Sequence, residues 1–300
     1  MGHHRGTGRQ GPLRWWPGAV GVLLGIGLAV AWFTVRDVTS EPARSVPRDQ
    51  VGVAIASVQG GPIRVSGTLH EGQAWSAIKV PLAAALLDAR AKAVGTADGA
   101  STLTARERAW LRRALTRSDN KAASRLFWRL AGGHAHPERG RARLAAMLHR
   151  AGDRTTRVRV QFGTTVWRLE DAVRVYRQLA AGCLLGQRDT RYLLQMMRQV
   201  QRSERWGVPQ VAPRSSAIAF KGGWGPDSRN RWLVEQIAIL GRESHAKVIA
   251  VMARSAHRAR SLEDPSAFEA GIRLVERYAA PVVRTPSTRT DGAPTCAAHQ

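Results

Sequence analysis

The pattern of apolar and polar positions along this 300-residue chain separates strands from helices. Residues 51–58 are apolar and β-branched, Gly60-Gly61 follows as a turn, and residues 62–69 form a second short run, which predicts a β-hairpin. Residues 76–91 are rich in alanine and contain no helix breaker after Pro81. We therefore predict a buried helix that begins at Ser76, with the proline tolerated in its first turns.

The same patterns predict further elements. Helices are expected at residues 103–116, 121–130, 166–181, 193–201 and 267–279, and strands at 216–220, 233–240 and 247–253. Strands thus come first and last, with helices between them. This order predicts an α+β fold, an α/β sandwich in which an antiparallel sheet made from both chain ends is flanked by helices and joined to a helical subdomain.

The N-terminal region has the pattern of a membrane anchor. Residues 15–35 carry no charge and follow Arg5, Arg9 and Arg14. Such a run can cross a hydrocarbon core of about 30 Å as a helix, and the preceding arginines favour a cytoplasmic N-terminus. We therefore predict a single-pass anchor in the cell membrane, with residues 36–300 outside. A signal peptide cleaved at Ala29-Val30-Ala31 is the alternative and would make the protein secreted.

These predictions divide the chain into five parts. They are a basic cytoplasmic segment at 1–14, the anchor at 15–35, a polar linker at 36–50, a folded domain at 51–280 and a disordered tail at 281–300. The two cysteines do not form a disulfide framework. We expect Cys183 to be a small buried residue and Cys296 an unpaired thiol in the tail.

The formal net charge of +24 comes almost wholly from arginine, since the chain has only five lysines. The charge is scattered and no basic stripe with interleaved aromatic residues is visible, so we do not expect nucleic-acid binding. A surface that faces anionic lipid or cell-wall polymer is an alternative to a merely solvated face. His134 and His136 lie in a loop bounded by glycine and proline without further ligands, so we predict neither a metal nor a cofactor there.

Three short motifs carry the candidate chemistry: Ser76-Ala77-Ile78-Lys79, Ser118-Asp119-Asn120 and Lys221-Gly222-Gly223. At the start of a helix the N–H of Ser76 lacks a partner and the helix dipole favours developing negative charge. Lys79 comes round to the same face one turn later. An amine can lose its proton when buried, whereas a guanidinium stays charged. Taken singly, Ser76 as an ordinary helix cap and Ser118 as an ordinary turn residue remain alternatives.

Together the motifs resemble those of the serine β-lactamase and penicillin-binding family, most closely its class A branch. The segments 151–157 and 163–165 are similar to those that enter and leave the family's omega loop. Phe220 to Pro226 is similar to a Phe-Lys-Gly-Gly-Trp-Gly-Pro stretch of actinobacterial class A β-lactamase-related serine hydrolases. The resemblance covers roughly residues 50–279 and implies the β-lactamase/transpeptidase-like fold.

The resemblance also implies roles for individual residues. Ser76 would be the nucleophile and Lys79 its base, while Ser118, between Lys79 and Lys221, would relay a proton to the leaving nitrogen. Asn120 would bind the substrate amide. The strand Gly222-Gly223-Trp224 would line the substrate, with the N–H groups of Ser76 and Trp224 as the oxyanion hole. The sequence leaves open whether the Trp224 side chain belongs to the core or to the cleft wall.

Two departures from the family pattern bear on turnover. Family β-lactamases carry an omega-loop glutamate that directs the deacylating water, but residues 157–162 of this chain contain no acid. The threonine of the third motif, whose hydroxyl helps to hold the substrate carboxylate, is replaced by Gly222. We therefore expect slow deacylation of a β-lactam and weak recognition of a carboxylate.

Three functions follow as hypotheses. The first is an extracytoplasmic serine acyl-enzyme hydrolase that acts on a β-lactam-like or cell-wall peptide amide, as a D,D-peptidase-like enzyme or a weak β-lactamase. The second is a penicillin-binding or cell-wall-sensing module that is acylated, or merely occupied, without turnover. The third is a degenerate scaffold for a partner, which the intact motif residues disfavour.

Overall fold

A five-stranded antiparallel sheet forms the centre of the molecule. The computed structural model describes residues 49–227, 231–242, 245–258, 265–285 and 296. The sheet has the order β2-β1-β7-β6-β5, so the two ends of the domain pair through β1 and β7. Its strands are β1 (Gln50–Ser57), β2 (Gly60–Gly67), β5 (Ile218–Pro226), β6 (Arg231–Leu240) and β7 (Lys247–Arg258). Two short strands, β3 (Glu71–Gln73) and β4 (Val166–Arg168), pair separately.

Helices cover both faces of the sheet. They are α1 (Lys79–Ala93), α2 (Ala105–Thr116), α3 (Asn120–Ala131), α4 (Pro137–Arg150), α5 (Leu169–Ala180), α6 (Gln187–Arg198), the short α7 (Val208–Val211) and α8 (Pro265–Arg284). One core layer joins α8 and α7 to the sheet, and the other joins its opposite face to α1 to α6. The predicted α+β fold, with a sheet from both chain ends flanked by helices, is confirmed.

Helix α8 shows how the sequence pattern produces this packing. Its buried positions include Gly271, Val275 and Ala279, which recur every four residues and so lie on one helical face. A Cβ at Gly271 would lie 2.4 Å from Cγ2 of Val234, so the glycine lets the helix backbone approach β6 closely. Because both faces of the sheet are covered, β6 is buried along almost its whole length.

Capping side chains determine where α2 and α3, the helices on either side of the second motif, begin. Thr104 accepts a hydrogen bond from the N–H of Glu107, whose carboxylate accepts one from the N–H of Thr104. This capping box starts α2 at Ala105, two residues after the predicted start. Asp119 accepts from the N–H of Ala122 and so caps α3, which begins at Asn120.

Five other element predictions need correction. Ser76 lies in a turn, and the helix begins only at Lys79. The predicted helix at 166–181 begins with the short strand β4, and α6 starts six residues before the predicted position. Helix α4 was not predicted, although Pro137 stands at its first position, where proline is favoured. Helix α8 runs to Arg284, through Pro281, into the segment that was predicted to be a disordered tail.

The prediction of two unpaired cysteines is wrong. Cys183 and Cys296 form a disulfide with a Cα–Cα distance of 5.3 Å, within the usual range for such bridges. Their separation of 113 residues offers no spacing signal, because the contact arises only from the tertiary fold.

The predicted anchor at 15–35, the segment before it and the residues of the linker up to position 48 lie outside the described residues. Within the described ranges, no helix combines the length and the hydropathy that a membrane crossing needs.

Candidate active site

The first motif lies in a tight turn that the omega-loop segment holds in place. Trp75 donates its N–H to Gly163 O at 2.8 Å, and Ala74 donates to Thr165 O at 2.8 Å. Trp75 has a φ of 40°, a region that bulky residues rarely adopt and that concentrates at functional sites. Among the described residues, the N–H of Ser76 has no acceptor, although its neighbours on both sides do. The free N–H is therefore available to a negatively charged oxygen.

Lys79 is buried, with 2% of its surface exposed, and its ammonium points at the second motif. Nζ donates to the carbonyl oxygen of Ser118, to Asn120 Oδ1 at 2.6 Å and to Ser118 Oγ at 3.4 Å. None of the hydrogen bonds in the described part of the chain joins it to the Ser76 hydroxyl. Burial and the nearby charge of Lys221 lower the pKa of Lys79 to about 7.

Ser118 lies between the two lysines. Its Oγ accepts a hydrogen bond from Lys221 Nζ at 2.9 Å and makes a longer contact, 3.4 Å, to Lys79 Nζ. Its φ of 54° is the second positive value among the non-glycine residues described. Arg113 pairs with the capping carboxylate of Asp119 and so fixes the loop that carries Ser118. Asp119 therefore has a structural role, as the cap of α3 and the partner of Arg113.

Lys221 projects from β5 and is fully buried. Its ammonium donates to Ser118 Oγ and to Gly222 O at 2.7 Å. Burial lowers the pKa of Lys221 to about 8, against the opposing charges of Glu204 and Glu235. Two buried amines with lowered pKa values thus flank a single hydroxyl, an arrangement suited to proton transfer at neutral pH.

The two glycines of the third motif face different neighbours. A Cβ at Gly223 would lie 2.9 Å from Ser76 N, so only glycine lets β5 come this close to the nucleophile turn. A Cβ at Gly222 would lie 2.5 Å from the indole of Trp206, which occupies the space that a larger side chain at this position would enter. Trp224 is 42% exposed and stacks on Trp232 with ring centroids 4.9 Å apart. Its ring also packs on Phe268 of α8, so the side chain belongs to this aromatic cluster, while the residue borders the cleft.

The cleft has a volume of about 710 Å³ and is partly open to solvent. Ser76, Lys79, Ser118 and Asn120 line it, and Lys221 is joined to it through its hydrogen bond to Ser118, whereas Gly222 and Gly223 are not among the lining residues. It is lined by Trp75, Ser76, Lys79, Arg117, Ser118, Asn120, Ser124, Phe127, Trp128, Val160, Gln161, Phe162, Gly163, Thr164, Glu204, Trp224, Gly225 and Pro226.

The omega-loop segment contributes a wall without a carboxylate. Residues 160–164 line the cleft, and none of them is acidic. Glu170 lies in the first turn of α5, 3.9 Å from Arg168, with 42% of its side chain exposed, and it is not among the lining residues. The acid expected from the family pattern is therefore absent from this side of the cleft.

Sequence reasoning missed two acidic residues. Glu204 is the only carboxylate among the described residues that line the cleft. Glu235 lies opposite Gly223 on β6, fully buried, and accepts a hydrogen bond from Trp167 Nε1 at 3.0 Å. Burial raises the pKa of Glu235 well above its usual range. The signal for Glu235 was its place in an otherwise apolar strand, whereas Glu204 has no local pattern.

Comparisons with known proteins bear on the family and the fold of the chain. Residues 96–273 match the family model described as the β-lactamase enzyme family. The β-lactamase of Streptosporangium roseum superposes with a TM-score of 0.57 at 17% identity, over 79% of this chain and 93% of that one. The chromosome-encoded β-lactamase of Vibrio parahaemolyticus gives 0.60 at 14% identity, over 78% and 92%. No curated protein matches the sequence significantly. The family match covers more than half of the chain, which therefore belongs to the β-lactamase enzyme family.

Proposed function

We propose that the chain is a serine hydrolase that works through an acyl-enzyme on Ser76. The observation that carries the proposal is the placement of Ser118 Oγ between the buried amines of Lys79 and Lys221, in the same cleft as Ser76. In the neutral form, Lys79 takes the proton of Ser76 Oγ as that oxygen attacks the substrate carbonyl. The carbon–nitrogen bond then breaks, and Ser118 relays the proton from the Lys79 ammonium to the leaving nitrogen, which restores neutral Lys79.

The transition state of this step needs donors for its oxyanion. The unpaired N–H of Ser76 is one such donor, and the N–H of Trp224 is proposed as the second because Gly223 brings β5 against the nucleophile turn. Removal of one donor of this kind typically costs about 10²–10³ in rate. Asn120 and the strand from Gly222 to Trp224 would hold the substrate amide.

The proposed substrates are β-lactam-like or cell-wall peptide amides, with poor deacylation of a β-lactam. Water must attack the Ser76 ester in the second step, and general-base assistance typically supplies about 10²–10⁴ in rate. The omega-loop wall supplies no carboxylate for this step. In purified full-length chain we expect nitrocefin turnover well below ~10 s⁻¹, the median of enzymes generally. A turnover at or above that value would contradict the proposal.

The alternative is a penicillin-binding or sensing module that is acylated without turnover, and the same carboxylate-free wall favours it. The mass of the intact protein after addition of benzylpenicillin separates the two functions. Because deacylation is expected to be slow, the adduct is followed over hours: slow loss of the adduct with release of hydrolysed penicillin supports the hydrolase, and an adduct that is never released supports the module. Ser76→Ala should remove the adduct. Ser124→Ala, at a second serine of the cleft, should keep it. Labelling of Ser76→Ala would exclude both functions.

We further propose an extracytoplasmic location with residues 15–35 as the membrane anchor. The uncharged run behind three arginines supports the anchor. The Cys183–Cys296 disulfide supports exposure to an oxidising compartment, where such bridges persist. Protease added to intact cells should digest the folded domain while the domain sediments with membranes. A soluble product that begins near residue 32 would indicate the cleaved signal peptide instead.

A further inference from the structure

Glu204 is held at a defined place in the cleft. The chain reaches it from Gln201, whose N–H donates to Thr116 O at 2.9 Å, close to the loop that carries Ser118. It ends a short 3₁₀ turn, Arg202–Glu204. Immediately after it, Gln236 on β6 donates to Trp206 O at 2.7 Å and accepts from the N–H of Val208. The segment is therefore tied to the second motif on one side and to the sheet on the other.

The charge of Glu204 is weakly screened and acts on both buried lysines. It is half-buried, and among the described residues no ion pair within 4.0 Å neutralises it. Its negative charge raises the pKa of both Lys79 and Lys221, in opposition to burial. Part of its field thus crosses the space that a bound substrate would occupy, where exclusion of water strengthens electrostatic interactions.

We propose that Glu204 makes this cleft select acyl donors that lack a carboxylate next to the scissile amide and carry a neutral or cationic group there instead. The inference rests on the proposed acyl-enzyme function and specifies its substrate class. Two features act together. Gly222 offers no hydroxyl to a substrate carboxylate, and Trp206 occupies the space that a side chain there would enter, so an attractive contact is missing. Glu204 adds electrostatic repulsion of that carboxylate, and specific sites commonly combine the loss of an attractive contact with such a repulsion.

The positive charge of Arg117 opposes the effect of Glu204 on a substrate carboxylate. Arg117 lines the same cleft, and its exposed guanidinium can pair with a substrate carboxylate. An exposed cation is screened by solvent and salt, whereas Glu204 is more enclosed and fixed at both ends. We therefore expect the repulsion by Glu204 to determine the sign of the preference.

The test compares benzylpenicillin with its methyl ester, which differ in the charge of the carboxylate. The measured quantity is the second-order rate of Ser76 acylation from intact mass, expressed as the acid-to-ester ratio at low ionic strength. In Glu204→Gln this ratio should rise by about tenfold over the parent chain, since like charges in a confined site are strongly unfavourable. A lowered pKa of Lys79 in this variant affects both substrates equally and cancels in the ratio.

Matched variants separate charge from shape. Glu204→Asp keeps the charge and should keep the parent ratio. Glu170→Gln removes an acid outside the cleft and should also leave the ratio unchanged. An unchanged or lower ratio in Glu204→Gln would overturn the proposal. So would an unchanged ratio with slower loss of the adduct, because Glu204 would then act as a deacylation base rather than in selection.

Failure of the acyl-enzyme function is recognisable separately. If Ser76 is not acylated by either compound, the proposed function is contradicted, and the ratio is then read from equilibrium binding. Titration of the Ser76→Ala chain with each compound, followed by the fluorescence of cleft tryptophans such as Trp224, gives the two dissociation constants. If the ratio of these two dissociation constants is the same in Ser76→Ala and in Ser76→Ala/Glu204→Gln, the selection proposal is overturned in this measurement as well.

Discussion

The two buried lysines differ in the protonation state that the proposed chemistry requires of them. Lys79 must be neutral to take a proton, whereas Lys221 must keep its charge to polarise Ser118. Burial lowers the pKa of Lys79 to about 7, helped by Lys221, and lowers that of Lys221 to about 8. Between these values the active combination is most populated. Burial is the largest cause of both shifts, which brings the two values close together.

This difference predicts a bell-shaped pH dependence. The rate of Ser76 acylation should rise as pH increases through about 7, because Lys79 loses its proton, and fall above about 8, because Lys221 loses its own. The measurement is adduct formation against pH under single-turnover conditions. Lys79→Arg should lose nearly as much activity as Lys79→Ala, since guanidinium stays charged. A flat profile, or an active Lys79→Arg chain, would exclude Lys79 as the base.

Gly222 gives a second prediction for a single residue. Restoring the family threonine by Gly222→Thr places a Cβ 2.5 Å from the buried indole of Trp206, which must then move. Overpacking of this kind typically costs about 1–3 kcal/mol. We expect a lower urea midpoint and no gain in acylation by benzylpenicillin. The double variant Gly222→Thr/Trp206→Leu should be less destabilised than the sum of its single changes. Strict additivity would show that the two side chains do not compete.

Among the secondary-structure elements, α2 depends on one buried carboxylate. Burial alone would raise the pKa of Glu107, but hydrogen bonds from the Thr104 N–H and from Arg90 and Arg129 outweigh it and lower the value to about 2. The charged form is therefore favoured by folding. This contribution to stability is complete at pH values above 4.5, the ordinary pKa of a glutamate, and is lost as the pH falls towards 2.

Glu107→Gln should accordingly destabilise the chain by about 1.5–3 kcal/mol near neutral pH, the range for hydrogen bonds to charged groups. The loss should shrink as the pH falls below about 4.5, where the parent carboxylate begins to lose its advantage. Urea unfolding at several pH values measures both effects. Glu138→Gln breaks only an exposed ion pair with Arg141 and should change stability by less than about 0.5 kcal/mol. Equal effects of the two substitutions would contradict this account of α2.

Elements were predictable from the sequence where periodicity and local signals agree. The strands β6 and β7 and the helix α8 follow from apolar runs and four-residue spacing, and Lys79 follows Ser76 in the way that a turn into a helix requires. Boundaries failed where a long-range contact decides them. Residues 166–168 form a strand with residues 71–73 instead of continuing the predicted helix. The segment that carries Glu204 is held at the cleft by hydrogen bonds from its two ends to Thr116 and Gln236. No local window contains such partners.

The molecule as a whole is held by two core layers and one covalent link. The sheet separates the layers, and its strands from both chain ends make the fold depend on contacts distant in sequence. The Cys183–Cys296 disulfide adds a connection between the end of α5 and the residues after α8. It closes a loop of 113 residues, which contains most of the sheet.

This loop size predicts a large effect on the unfolded state. A disulfide stabilises mainly by restricting the unfolded chain, by about 2–4 kcal/mol typically and up to about 4.7 for a loop of some 100 residues. The double variant Cys183→Ser/Cys296→Ser should therefore lose about 2–4 kcal/mol in urea unfolding, with a larger m-value because its unfolded state is less compact. Reductant should shift the parent chain by the same amount and leave the double variant unchanged. If reductant has no effect on the parent chain, the bridge does not constrain the unfolded protein, and the cysteines are unpaired as the sequence had suggested.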